Sequence, residues 1–294
     1  MKHITFLACA LLGISFASCS QNTKELKTME TQKKTLVVYF SATGNSKAVA
    51  TVLAKELNDE AINIVGYGQA DKLTDAKTQS TIGIVFPIYG WNPPSVIYDF
   101  IRKMLRSGVH ASYLYFIATC GDDIGMADRQ MHRFLRKQNV TYSSFFSVIM
   151  PNTYIGLPGF DIDSDDVIQR KLTESKNRIL AIAQQIKEHN NITSVKRGCL
   201  PWVKTYFLGK MFAYFLITDK YFHTTSKCTL CKSCIKVCPQ QNINIVGKRI
   251  TWNNKCTGCL ASYHHCPHKA IDFGIFSRNK GQYFYNKHLG KHSC

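Results

Sequence analysis

Acidic residues are scarce in this chain of 294 residues, where 19 Asp and Glu face 37 Lys and Arg and leave a formal charge of +18. Such a surface disfavours cationic partners. It suits an acidic protein, an anionic lipid surface or a nucleic acid, and charge alone does not choose among them. Long apolar runs are missing as well. The stretches Ile4–Phe16 and Tyr206–Ile217 both fall short of the roughly 20 residues that cross a bilayer, and the second contains Lys210. Twelve cysteines are few for a disulfide scaffold of this length, and eight of them lie between Cys228 and Cys294. That crowding suits metal ligation better than stapling. What is present, 45% hydrophobic and 12% aromatic residues, excludes a disordered polymer and allows two packed domains.

The N-terminus reads as a targeting segment. Lys2 precedes the apolar stretch, which closes on the small residues of Phe16-Ala17-Ser18-Cys19. These last residues resemble the lipobox of bacterial lipoproteins. The resemblance implies cleavage after residue 18, acylation of Cys19 and anchorage of the chain to a membrane at the cell envelope. Residues 19–34 are polar and aperiodic, as expected of a tether. Initiation at Met29 is the alternative and would give a cytoplasmic protein.

From 35 to 190 the pattern alternates strand and helix. Leu36–Phe40 is a continuous apolar run of branched and aromatic residues, as in a strand covered on both faces, and similar runs occupy 61–65, 81–86, 113–118 and 145–150. Amphipathic stretches at 45–57, 93–105, 126–137 and 165–188 separate them, with Asp163 or Ser164 capping the last. Five strands with crossover helices predict an α/β domain built on a doubly wound parallel sheet.

The first strand runs into Ser41-Ala42-Thr43-Gly44-Asn45-Ser46 and then directly into a helix. Helix-start N–H groups and hydroxyls at such a loop can hold a phosphate without a lysine, although the loop is neither G-x-G-x-x-G nor a Walker loop. Its T-G-N-S core after strand one resembles the flavodoxin family. The resemblance implies a flavodoxin-like fold and FMN held by Ser41, Thr43, Gly44, Asn45 and Ser46. Loops 87–92 and 119–123 reach the same sheet edge, and by the same resemblance flank the isoalloxazine. Tyr89 and Trp91 are then candidates to stack on it, with Cys120, Gly121 and Asp122 beside it. An aspartate there, Asp122 or Asp123, would disfavour an anionic reduced ring and lower its potential, with a capping or turn carboxylate as the equal alternative. Cys120 reads as a packing residue rather than a redox thiol.

The acidic run Asp161–Asp166 lacks the glycine and distal glutamate of a calcium loop and reads as a helix start. Residues 191–224 are aromatic and basic, and the helix expected there, apolar almost all round, reads as a connector buried between two domains, with lying on a membrane surface as the poorer alternative.

The cysteine-rich end, 225–276, is an internal repeat. Cys228-x2-Cys231-x2-Cys234-x3-Cys238-Pro239 recurs 28 residues on as Cys256-x2-Cys259-x2-Ser262-x3-Cys266-Pro267. This spacing resembles the two-cluster bacterial ferredoxins and implies a small α+β domain holding [4Fe-4S] clusters. Carried over, one cluster takes Cys228, Cys231, Cys234 and Cys266. The other takes Cys238, Cys256 and Cys259, with Ser262 where a cysteine is expected. A hydroxyl is a harder and less acidic ligand than a thiol, so the fourth iron there is expected to be labile, and the centre to be a four-iron cluster with an oxygen ligand, a three-iron cluster, or absent. His264 and His265 are near enough in sequence to invite a ligand role but read as solvated side chains, and the basic tail 277–294 reads as solvated too, with an acidic redox protein as the partner its charge would suit. A zinc ribbon on a nucleic-acid binder is the alternative reading of the cysteines; it leaves the third spacing and both Cys-Pro pairs unaccounted for, so no nucleic acid is expected. Cys199 and Cys294 have no assigned role.

The order of the two parts resembles bacterial ferredoxins with a flavodoxin-like N-terminal region. It implies an electron-transfer protein relaying electrons between FMN and iron–sulfur clusters. A flavin-dependent reductase of a quinone or other small acceptor is the alternative, without a nucleophile, general base or nicotinamide fingerprint to support it.

Overall fold

The computed structural model describes residues 35–66 and 80–289. The lipobox-like segment, Cys19, the tether, Met29 and Cys294 lie outside the described residues.

The expected parallel sheet is present, with strands β1 (Thr35–Tyr39), β2 (Ala61–Asn63), β3 (Thr81–Pro87), β4 (Tyr113–Cys120) and β5 (Ser144–Ile149). A two-residue strand, β6 (Thr193–Ser194), extends it to six in the order β2-β1-β3-β4-β5-β6, all parallel. β6 is too short to leave an apolar run in the sequence. The second strand ends earlier than expected because Ile64–Gly66 forms a 3-10 turn.

Helices cover both faces, as buried central strands require. Ser95–Arg106 and Ala127–Arg136 close one core around Phe86, Phe116 and Phe145. Helix α1 (Asn45–Glu56) and the long helix Asp165–Lys187 close the other around Tyr115, Ile117 and Phe146. Strand order reverses between β1 and β3, so the loops after β1, β3, β4 and β5 meet at one edge, where open α/β sheets bind ligands. Asp163 does not cap its helix by a side-chain bond. Its carboxylate accepts from Asn152 N–H (2.9 Å) and from Lys171 Nζ (2.8 Å), pinning the loop after β5.

The C-terminal part is built twice from one unit. Strand β7 (Phe222–Thr224), the first cysteine loop, helix Ser233–Val237 and strand β8 (Ile243–Val246) are matched by β9 (Arg249–Trp252), the second loop, helix Ala261–His264 and β10 (Ile271–Phe273). β7 pairs with β10 and β8 with β9, each antiparallel. The 28-residue offset reaches the backbone. Positive φ occurs at Leu230 and Gly258, at Lys232 and Leu260, and at Gln241 and Lys269. This small core is continuous with the loop after β5, because Ile155 is buried within it and Tyr154 and Ile162 pack against it.

The segment expected as a buried connector departs from that reading. Pro201–Val203, Lys204–Leu208 and Gly209–Leu216 form one helical run whose middle is a π turn. Only its inner side is covered; Trp202, Phe207 and Tyr214 are exposed. An all-round apolar pattern implies two buried faces only when two layers are at hand, and the described residues supply one.

Candidate functional site

The loop after β1 is shaped by Gly44, which caps α1 at φ 95° and whose N–H donates to Ser41 Oγ (3.2 Å). A Cβ at this position would stand 2.8 Å from the Cβ of Tyr285, so glycine is required by conformation and by space. Ser46 Oγ and Thr119 Oγ1 share a hydrogen bond of 2.8 Å, joining this loop to the end of β4. Asn45 is a tie rather than a free donor: its Nδ2 donates to Pro151 O (3.0 Å), and its Oδ1 accepts from Tyr283 Oη (2.8 Å). The first-turn N–H groups of α1 have no partners within the helix and carry its positive dipole end.

After β3, Tyr89 and Asn92 exchange backbone hydrogen bonds of 3.0 and 3.1 Å around Gly90 and Trp91, both with positive φ. A Cβ on Gly90 would meet the Phe212 ring at 2.5 Å, so the aromatic helix lies directly on this turn. After β4, Asp123 accepts from Lys204 Nζ (2.6 Å) and from Gly125 N–H (3.0 Å), and Lys204 also stands 5.8 Å from the centre of the Trp91 ring. Asp122 lies 3.8 Å from Lys171 and accepts from Asn152 Nδ2 (3.3 Å). Both aspartates are therefore paired with cations, which weakens the charge either offers a ligand. Cys120 is buried, and burial with the two aspartates pushes its thiol far up, so it carries no thiolate.

These loops enclose a cavity of about 800 Å³, within the size range of small-molecule sites. Ser41, Thr43, Asn45 and Ser46 of the loop after β1 give it polar lining, Tyr89, Trp91, Cys120, Gly121 and Asp122 come from the loops after β3 and β4, and Met211, Phe212 and Phe215 of the aromatic helix give it apolar lining. Tyr154 also lines it, and its buried hydroxyl has no hydrogen-bond partner among the described residues. Polar lining, aromatic lining and an orphaned hydroxyl fit a phosphate-bearing aromatic cofactor. Asn152, Thr153, Tyr154 and Lys204 were not singled out from the sequence. The first three follow β5 at the switch-point edge, so its topology was the signal that could have found them.

The cysteines separate into two groups. Cys228, Cys231, Cys234 and Cys266 line one small cavity; Cys238, Cys256, Cys259 and the buried Ser262 line another. Among the described residues no three His, Cys, Asp or Glu side chains converge as a site for a single metal ion. Thiols standing around a void fit a multi-iron cluster better than one tetrahedral zinc. The sulfurs also accept backbone hydrogen bonds in register with the repeat. Asn242 N–H donates to Cys238 Sγ (3.3 Å) and Ala270 N–H to Cys266 Sγ (3.2 Å). Ser233 lowers the Cys231 thiol through its side-chain and backbone hydrogen bonds, whereas burial pushes Cys234 up to about 11 and Cys256 up to about 12. Thr257 Oγ1, buried without a settled partner, faces Cys259. Such donors favour anionic sulfur, as a cluster requires.

The two sites meet. Gly258, Cys259 and Leu260 line the large cavity as well, and Tyr89 is near enough to Cys259 and Cys256 for their charge to raise its phenol further, beyond the dominant effect of burial.

The histidines and the tail correct their expectations. His264 is fully buried: its Nε2 donates to Thr153 O (2.7 Å) and its Nδ1 accepts from Tyr283 N–H (3.2 Å). His265 Nε2 bonds Ala42 O (3.2 Å), and its ring stacks on Phe284. The tail is a strap rather than a solvated end. Lys280 Nζ donates to the carbonyls of Ile155, Leu157 and Phe160; Gln282 Nε2 donates to those of Tyr263 and Cys266; Tyr285 N–H donates to Thr43 O (2.8 Å).

Comparison with known proteins agrees with this division. Residues 36–154 match the family model of a flavodoxin domain and residues 227–271 that of a 4Fe-4S dicluster domain. No curated protein matches the chain. Among solved structures, a flavodoxin from the domain Archaea is 18% identical, covering 52% of this chain and 98% of its own, at a TM-score of 0.34. The Trp repressor binding protein of Bacillus subtilis is 13% identical over 54% of this chain and 100% of its own, at 0.37. The rubredoxin oxygen:oxidoreductase of the anaerobe Desulfovibrio gigas is 10% identical over 53% of this chain and 37% of its own, at 0.35. The chain thus carries a flavodoxin-like domain followed by an iron–sulfur domain, which together suggest an electron-transfer role.

Proposed function

We propose that the chain relays electrons between FMN, bound in the large cavity, and [4Fe-4S] clusters bound by the repeat. The observation that carries this reading is the shared wall: Cys259 of the second cysteine loop lines both the small cavity of Cys238 and Cys256 and the large cavity of the Thr43–Ser46 loop. A flavin takes up electrons in pairs and releases them singly, whereas a cluster exchanges one at a time, so adjacent sites suit a relay.

In this reading the α1 first-turn N–H groups hold the phosphate, and the Ser46–Thr119 pair fixes their loop. Tyr89 and Trp91 flank the ring, and Phe212 with Met211 exclude water from it. Cys228, Cys231, Cys234 and Cys266 ligate one cluster; Cys238, Cys256 and Cys259 ligate the other, with Ser262 at its fourth position. Location belongs to the same proposal. Acylated Cys19 would anchor the chain at the cell envelope, and mass spectrometry of the native N-terminus separates that from cytoplasmic initiation at Met29. An acidic redox protein is the partner expected from the charge.

The full chain, reconstituted anaerobically, is expected to hold flavin, iron and acid-labile sulfide together. Sub-stoichiometric dithionite should then bleach flavin and cluster absorbance in one coupled, sequential process. Stable binding of iron and sulfide without flavin, or two chromophores that fail to exchange electrons, would refute the relay.

A further inference from the structure

The aromatic helix has an outer side that no described residue covers. Leu200 is 72% exposed, Trp202 64%, Phe207 59% and Tyr214 81%, and Met211 and Phe215 are about half exposed. Scattered apolar residues on a surface mean little, but with Val203 and Leu208 there are eight large exposed ones within sixteen residues of one helical run, a density that marks an interaction surface.

Charge selects the occupant. From His189 to Thr218 the chain has no aspartate or glutamate, while Lys196, Arg197, Lys204 and Lys210 are all basic. Arg197 and Lys204 are engaged by Asp128 and Asp123, and Lys196 and Lys210 stand exposed. A second copy of this chain would bring like charge against like, on a molecule already at +18. Trp and Tyr with lysine on an otherwise apolar helix are the composition of the membrane interface, where rings lie at headgroup level and ammonium groups meet lipid phosphates. Among the described residues no helix is long and apolar enough to cross a membrane, so this one would lie in the boundary.

We propose that this helix seats its outer face, through Leu200, Trp202, Phe207 and Tyr214, in the headgroup–acyl boundary of a membrane rich in anionic lipid. The contact is independent of any acyl group on Cys19. It also sets the orientation of the large cavity, because Leu208, Met211 and Phe215 belong both to the cavity wall and to the exposed patch.

The test uses the full chain with Cys19→Ser, which removes any acyl contribution. Vesicles of phosphatidylcholine, with and without 30% phosphatidylglycerol, are sedimented with it at about 0.1 M salt. Partitioning onto anionic vesicles is expected, about tenfold or more weaker onto neutral ones. The triple variant Trp202→Ser/Phe207→Ser/Tyr214→Ser touches no residue of the cavity lining and should lose at least tenfold in partitioning. Lys210→Glu, a two-unit charge reversal, should lose roughly thirtyfold onto anionic vesicles and little onto neutral ones. An unchanged thermal transition and flavin content identify the variants as folded. Absence of binding to anionic vesicles, or binding that the triple variant retains, overturns the proposal. So does a dimer, seen by sedimentation velocity, that the triple variant dissolves while vesicles are ignored.

Discussion

Lowering the pH should unfasten the join between the two halves at His264. This ring is fully buried and uses both nitrogens as a neutral imidazole, Nε2 donating to Thr153 O and Nδ1 accepting from Tyr283 N–H. A second ring proton would point at an N–H donor that already fills that position. Burial is the main cause that pushes the ring down to about 4; nearby His265 and Lys287 add to it, and Thr153 O and Asp161 partly oppose it. The unfolded chain takes up this proton near 6.5, well before the folded one does. Its contribution is therefore fully present above about pH 6.5 and is lost as pH falls toward 4. At 1.36 kcal/mol per pH unit the full loss is about 3 kcal/mol, of which about 2 is gone by pH 5. Urea denaturation of the wild type and of His264→Gln across pH 4.5–7.5 isolates the effect, because acid loss of clusters and carboxylate titration act on both chains. The variant should be the less stable at pH 7.5, and the gap should narrow by about 2 kcal/mol at pH 5. A gap that does not change with pH would refute the reasoning.

Three further outcomes follow from the same geometry. Gly44→Ala adds a methyl at φ 95° that meets Tyr285 at 2.8 Å. It should cost about 1–2 kcal/mol in stability and weaken FMN binding measured by fluorescence, and undiminished affinity would contradict the placement of the phosphate loop. Tyr283→Phe strips the donor from Asn45 Oδ1. It should cost about 1–2 kcal/mol in urea denaturation, because the oxygen left behind stays buried, and a change below about 0.3 kcal/mol would mean that the strap contributes nothing there. Ser262→Cys puts a thiol on the cavity wall shared with Cys238, Cys256 and Cys259. Iron release to a chelator should slow, with more iron retained per chain, and unchanged release would place the labile iron elsewhere.

Much of this was legible because it is local. Buried parallel strands leave apolar runs, and the five found by pattern sit within a few residues of their observed ends. The 28-residue offset of the cysteines carries through helices, strands and left-handed residues alike, since each loop must bend the same way to present its sulfurs. What escaped has partners far along the chain. Nothing near Tyr283 announces Asn45, 238 positions away, and nothing near His264 announces Thr153. Two adjacent histidines on a basic domain look solvated until the loop after β5 is packed against His264 and the loop after β1 against His265. The aromatic helix misled in the opposite sense: composition tells that a surface wants cover, not whether the chain itself supplies it.

The strap also sets a timetable. Thr43 to Asn45 leave the ribosome early, yet the residues that lean on them follow about 240 positions later. At roughly 5–20 residues per second, that is a wait of about ten to fifty seconds. Through that interval the nascent sheet has its ligand-binding edge unfinished. Cofactor retention would therefore arrive only once Tyr283 and Tyr285 have closed over the first turn.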